Sequence, residues 1–166
     1  MTRLRDRAWQ IGLRARHAVA GRMLRIADAR EPDFIIGGRD NPYLLRWWVI
    51  PRNPIFNVYL HCFKRSDDDR ALHDHPWLFN ASWLLSGGYL EHLFSGVFLR
   101  REGAFKFRWG GAPHRVELMS GQPVWTLFIT GPRVRRWGFY CPQGWVHWKR
   151  FTAASDSGAI GRGCEP

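Results

Sequence analysis

The sequence lacks any apolar run near the roughly 18–20 residues that cross a bilayer as a helix. Its first thirty residues contain no continuous apolar stretch of the signal-peptide kind, so the expectation is a cytoplasmic chain with no transmembrane segment. Cysteine is scarce. Cys62, Cys141 and Cys164 are odd in number and far apart, which suggests neither a CxxC zinc pair nor a disulfide framework, and a reducing compartment is their simplest setting. A Gly-rich phosphate loop, a nucleophile elbow and paired-carboxylate spacing are also missing, and with them the usual residues for phosphoryl transfer, acyl transfer and glycoside cleavage. Acidic residues number only 14 against 25 Lys and Arg. The imbalance is local, because residues 1–30 hold eight arginines and two aspartates. The basicity is largely a property of an amino-terminal arm.

What is present is aromatic residues, 15% of the chain, much of it in short runs bounded by Gly and Pro, a pattern of strands rather than helices. The exception is residues 3–27, which read as an amphipathic helix. Leu4, Ile11, Ala15, Ala18, Val19, Leu24 and Ile26 are its apolar positions, and Arg5, Arg7, Arg14, Arg16, Arg22 and Arg25 carry its charge. Three readings of this arm are open: a helix packed on the body of the protein or on a second subunit, an arm that contacts nucleic acid or another anionic surface, or an organellar presequence. A presequence should be rich in Ser and poor in acids, whereas this arm has no Ser and contains Asp6 and Asp28.

Residues 1–42 are thus read as arm and linker, 43–151 as an all-β domain and 152–166, small and polar, as a disordered tail. Within the domain, strands are expected at 43–50, 55–63, 78–85, 89–99, 105–109, 124–130, 136–141 and 145–151. A polar loop at 64–70 contains Asp67, Asp68 and Asp69, and a Gly87-Gly88 turn follows the third strand. Nine or so short strands after one helix predict a β-barrel or sandwich. Asn80-Ala81-Ser82 matches a glycosylation sequon, read as chance in the absence of a secretion signal.

The chemistry concentrates at Leu72-His73-Asp74-His75-Pro76-Trp77. Two histidines one residue apart share a face of an extended chain, so both imidazoles can grip one ion. Pro113-His114 supplies a third at the start of another strand. His-x-His pairs also arise on ordinary strands; the Gly-Gly turn and the later Pro-His give this one its weight. Asp74, between the two, should face away and bond loop backbone. His61, His147 and Glu91 are candidates for supporting contacts around the metal. Arg115 is a weaker candidate for an anionic substrate group, though alternation points it away from His114.

These motifs resemble the cupin superfamily, over roughly residues 44–150. His73-Asp74-His75 with Gly87 or Gly88 is similar to its first motif, and Gly111-Ala112-Pro113-His114 to its second. The run of HDHPW, GGY, PHRV, TLFITGP, WGFY and GWVHW is similar to a set of cupin-like proteins from bacteria and their phages. The resemblance implies a single jelly-roll β-barrel with a metal in its mouth. One departure stands out: Phe79 and Asn80 occupy the place of the usual cupin glutamate. If Gly87-Gly88 centres a flat hairpin, Glu91 pairs near Leu84, too far from His75 to share its metal. The expected ligands are therefore His73, His75 and His114, a set resembling the thiol dioxygenase branch. That branch implies Fe(II) and a small-molecule substrate, with Zn, Mn and Ni as alternatives. Many cupins pair through their sheets, so a homodimer is a further expectation. A Zn or Mn isomerase or hydrolase, and a binding module without catalysis, are the rival readings.

Overall fold

A computed structural model describes residues 2–67, 71–119, 121–155 and 161–165. The side chains of Leu4, Ile11 and Ala15, Asp68 and Asp69 of the polar loop, and residues 156–160 of the tail lie outside the described residues. The arm forms α1 (Thr2–Ala29), ended by Glu31-Pro32, where the proline disfavours helical backbone before it. Its carboxy-terminal half lays Ala20, Met23, Ile26 and Ala27 on Trp47, Leu60, Cys62 and Leu85 of the barrel's outer face. Trp47 Nε1 donates to Arg30 O at 2.9 Å, which fastens the helix end to the sheet. Packing on the barrel is therefore the arrangement of this half of the arm. No described helix is long and apolar enough to cross a membrane. Burial under α1 pushes the Cys62 thiol up to about 11, which leaves no thiolate at neutral pH.

Twelve strands follow among the described residues. They are β1 (Phe34–Ile36), β2 (Leu44–Trp48), β3 (Asn57–Phe63), β4 (Leu72–His73), β5 (Phe79–Ser86), β6 (Gly88–Leu93), β7 (Gly96–Arg101), β8 (Phe105–Trp109), β9 (Arg115–Leu118), β10 (Val124–Thr130), β11 (Gly138–Cys141) and β12 (Gly144–His147). A six-stranded antiparallel sheet in the order β1-β2-β3-β10-β5-β8 makes one wall. Two three-stranded sheets, β12-β11-β4 and β7-β6-β9, make the other, and an antiparallel bridge between His73 and His114 joins them. Alternation sorts the faces of β3: Leu60 and Cys62 meet α1, while Tyr59, His61 and Phe63 line a cavity between the walls. Leu84, Tyr89, Val116, Leu118 and Val124 pack together to close the barrel on one side of that cavity. Burying such a side chain stabilises the fold by roughly 1.5–3 kcal/mol.

Several expectations need correcting. The linker contains β1, because Phe34-Ile35-Ile36 pairs back onto β2 after the Gly37-Gly38 turn. The expected strand 89–99 is the hairpin β6–β7, paired in register from Gly88↔Arg101 to Leu93↔Gly96. The last strand ends at His147, and the chain continues as α2 (Trp148–Phe151), since the His147 side chain accepts from Lys149 N and caps the turn. Cys141 and Cys164 form a disulfide across 23 residues, a separation that hides the pairing from local pattern. Gly161 N and Gly163 N both donate to Phe151 O, so the described end of the tail is tied to the barrel rather than disordered. The odd cysteine count therefore carries no argument for a reducing compartment. Asn80 is fully buried, which closes the sequon to any glycan.

Candidate metal centre

The segment from Leu72 to Phe79 crosses from one wall of the barrel to the other. Leu72 and His73 pair with β11, whereas His75 N donates to Gly110 O and Leu78 N to Pro132 O, at the ends of β8 and β10. Gly110 permits the crossing, because a Cβ there would overlap Trp77 O. His73 and His114 exchange reciprocal backbone hydrogen bonds, each 2.9 Å. Directly opposed residues of an antiparallel pair project to the same face. The His-x-His segment and the Pro113-His114 turn therefore deliver three imidazoles to one spot. Their candidate ligand atoms lie within 4.8 Å of one another, and His75 Nε2 is 2.8 Å from His114 Nε2. Trp77 stacks on His75, and Phe139 and Trp137 flank His73.

The electrostatics suit a cation receptor that is itself uncharged. Burial holds His75 and His114 well below the usual histidine range, with His73 and Arg108 acting in the same direction on both and His114 acting so on His75 as well. Burial lowers His73 too, against the opposing pull of Asp67 and Asp74. Neutral imidazoles keep the lone pair that a metal requires. Nδ1 of His73 is buried without a hydrogen-bond partner among the described residues, as befits a ring atom with a further role. The site residues thus fit a divalent metal held by three imidazoles with positions left open.

Glu91 reaches the centre by a route that strand counting misses. At Gly87, φ is +84°, and the chain turns out of the six-stranded sheet, so that β6 lies in the opposite wall, paired with β7 and β9. Glu91 is consequently opposite Val116, not Leu84. Fully buried, it accepts from Arg100 Nε at 2.7 Å and from Arg108 Nη2, and its Oε1 lies 3.5 Å from His114 Nδ1. A carboxylate beside the outer nitrogen of a ligating imidazole orients that ring. Asp74 faces away as expected: Gly138 N donates to its Oδ1 at 2.8 Å and Arg135 Nη1 lies 2.7 Å from its Oδ2. This fixes the residue between the two histidines.

The other candidates separate. His61 lines the cavity, but its Nε2 accepts from Arg46 Nε at 2.8 Å and its ring stacks on Phe128. His147 is not brought to the centre, since it caps α2 beside Trp145 and Trp148. Arg115 turns away to Glu117 and His92. Residues the sequence reading passed over are Arg46, Arg108, Trp77 and Phe128, all lining a cavity of about 610 Å³ that includes the three histidines. A signal was present for Arg46, the one charge in the otherwise apolar and aromatic run LLRWW; Arg108 in FKFRW shares its strand face with Lys106 and was not singled out in that way.

The depressed histidines set the acid stability of the metal-free protein. His61, His73, His75 and His114 are all lowered by burial, so the unfolded chain binds protons that the folded one refuses. Their contribution is therefore intact above the ordinary histidine pKa, about 6.5, and is lost as pH falls below it. Urea titrations of metal-free protein between pH 7.5 and 5 should show stability falling by roughly 1 kcal/mol per pH unit for each such histidine. A flat profile would contradict neutral imidazoles.

No protein-family model and no curated protein matches the chain. Solved structures do. A conserved protein with a double-stranded β-helix domain from Klebsiella pneumoniae is 15% identical, with 63% of this chain and 90% of that one covered at a TM-score of 0.49. A cupin-2 domain protein from Shewanella frigidimarina is 12% identical, covering 53% and 79% at 0.43. The DMSP lyase DddQ of Ruegeria pomeroyi is 16% identical, covering 57% and 50% at 0.45. The two facing antiparallel walls, entered by His73 and His75 and crossed again at Gly87, make the chain an antiparallel β-barrel.

Proposed function

We propose that the chain is a metal-dependent cupin that acts on a small molecule, with His73, His75 and His114 holding one divalent metal and an Fe(II) dioxygenase as the specific activity. The observation that carries this is the convergence of three neutral imidazoles, His114 buried and His73 and His75 half-buried, on the wall of a cavity of about 610 Å³. That volume lies in the range of small-molecule sites. No carboxylate joins the cluster among the described residues, which favours the all-histidine ligand set. Iron held there would supply the one-electron chemistry that lets dioxygen react with a closed-shell organic substrate. The protein's own share is to orient substrate between aromatic walls, to exclude water with Trp77, Phe128 and Trp137, and to fix the His114 ring through Glu91.

Three imidazoles also suit zinc, the basis for an oxygen-independent isomerase or hydrolase as second reading. Oxygen-electrode assays of iron-loaded and zinc-loaded protein, across small thiols and aromatic acids, separate the two. Substrate-dependent oxygen uptake with iron alone is the expected result. Turnover that proceeds equally under argon would transfer the site to the second reading.

A further inference from the structure

The cavity wall contains two inward-facing guanidiniums in unlike circumstances. Arg108 is buried against Glu91, whose charge is shared with Arg100. Arg46 has no such partner: among the described residues no carboxylate pairs with it. Its Nε donates to His61, which burial and the Arg46 charge keep neutral, and its guanidinium carbon lies 4.9 Å from the Tyr59 ring centre. Burial pulls Arg46 down to about 10, and nearby Arg52 acts in the same direction. The remaining charged lining residues are Arg52, Arg133 and Asp67, so the cavity is positive even before a metal adds its charge. An unpaired cation in such surroundings is costly unless an anion completes it.

The position of Arg46 is as telling as its charge. His61 stacks on Phe128 at 4.9 Å between ring centres, and Phe128 in turn lies 6.0 Å from His75 and 5.6 Å from Trp77. Arg46 and the histidine trio therefore stand on either side of an aromatic floor. With Nε engaged by His61, the two terminal nitrogens of the planar fork remain to meet a carboxylate side by side. We infer that the small molecule bound in this cavity is an organic acid, with its carboxylate docked on Arg46 and its apolar or aromatic body lying over Tyr59 and Phe128 toward the three histidines. This rests on the cavity being the small-molecule site proposed above and assigns Arg46 as its specificity-determining residue.

The test uses metal-free protein, so that no acid can bind by ligating a metal and failure of the metal reading stays separate. Benzoate, 3-phenylpropionate and hexanoate are titrated calorimetrically beside benzamide, 3-phenylpropionamide and hexanamide, with phenyl phosphate as a further arm. At least one acid should bind about ten-fold or more tightly than its amide, the preference should vanish in Arg46→Gln, and Arg46→Lys should keep part of it. Thermal melts confirm that the variants fold. If Arg46→Gln does not, Arg46→Lys decides, with affinity expected to fall several-fold. A wild type that prefers no acid over its amide, a preference untouched by either variant, or binding of phenyl phosphate alone would overturn the assignment.

Discussion

Replacing His73 and His75 together with alanine should take bound metal from about one equivalent per chain to none, with the barrel still folded. Both side chains line the cavity, so their removal enlarges an existing space instead of opening a void in the packed core. The His73 backbone bonds to His114 and the Asp74 bonds to Gly138 and Arg135 need no imidazole and should hold the loop in place. The double variant also removes two groups that resist protonation, so its metal-free form should lose less stability on acidification than the wild type. Elemental analysis of protein purified without added metal reads the first effect, and iron against zinc in the wild type chooses between the two activities. Metal retained at wild-type stoichiometry in the variant would place the ion elsewhere and end the three-histidine reading.

Glu91→Gln should be among the most destabilising conservative changes in the chain, at about 3–5 kcal/mol. The substitution keeps shape while it removes the one negative charge shared by Arg108 and Arg100, and Arg108 is itself buried. A buried charge left without its partner costs far more than the pair gains over an apolar substitute. The same change loosens the restraint on the His114 ring, so metal affinity should fall about 10- to 100-fold even where the protein stays folded. Urea denaturation and competition against a metal-binding dye measure the two effects separately. A loss under about 1 kcal/mol with unchanged affinity would mean that the Glu91 network supports neither the fold nor the site.

The histidines were legible because their information is local: His73 and His75 are two residues apart, and His114 follows a turn-forming Gly-Gly-Ala-Pro. The all-β body and its helix were legible from aromatic runs between Gly and Pro. Glu91 was placed wrongly because its address depends on Gly87, where the hairpin leaves one sheet for the other, and no periodicity within either strand records that change of wall. Cys141–Cys164 was missed because it is defined by a distant segment, whereas β1 pairs with the neighbouring β2 and was missed as a three-residue strand inside a stretch read as linker. His147 failed in the opposite sense. Its alternation was read as a continuing strand, when its side chain, accepting from Lys149 N, had already capped a helical turn. Arg46 carried a readable clue, a lone charge at an inward position of LLRWW, whereas alternation does not separate Arg108 from Lys106 on the same face of FKFRW.

The bridge between His73 and His114 joins the two halves of one wall, and two of the three candidate ligands are the bridging residues themselves. An ion gripped there would span a hinge: it could not let go of one half-sheet without losing part of its own coordination. Site occupancy and breathing of the barrel mouth are thus opposed by mass action. Filled, the protein would be a clamp with its jaws pinned; empty, it would rely at the bridge itself on the two amide hydrogen bonds between His73 and His114.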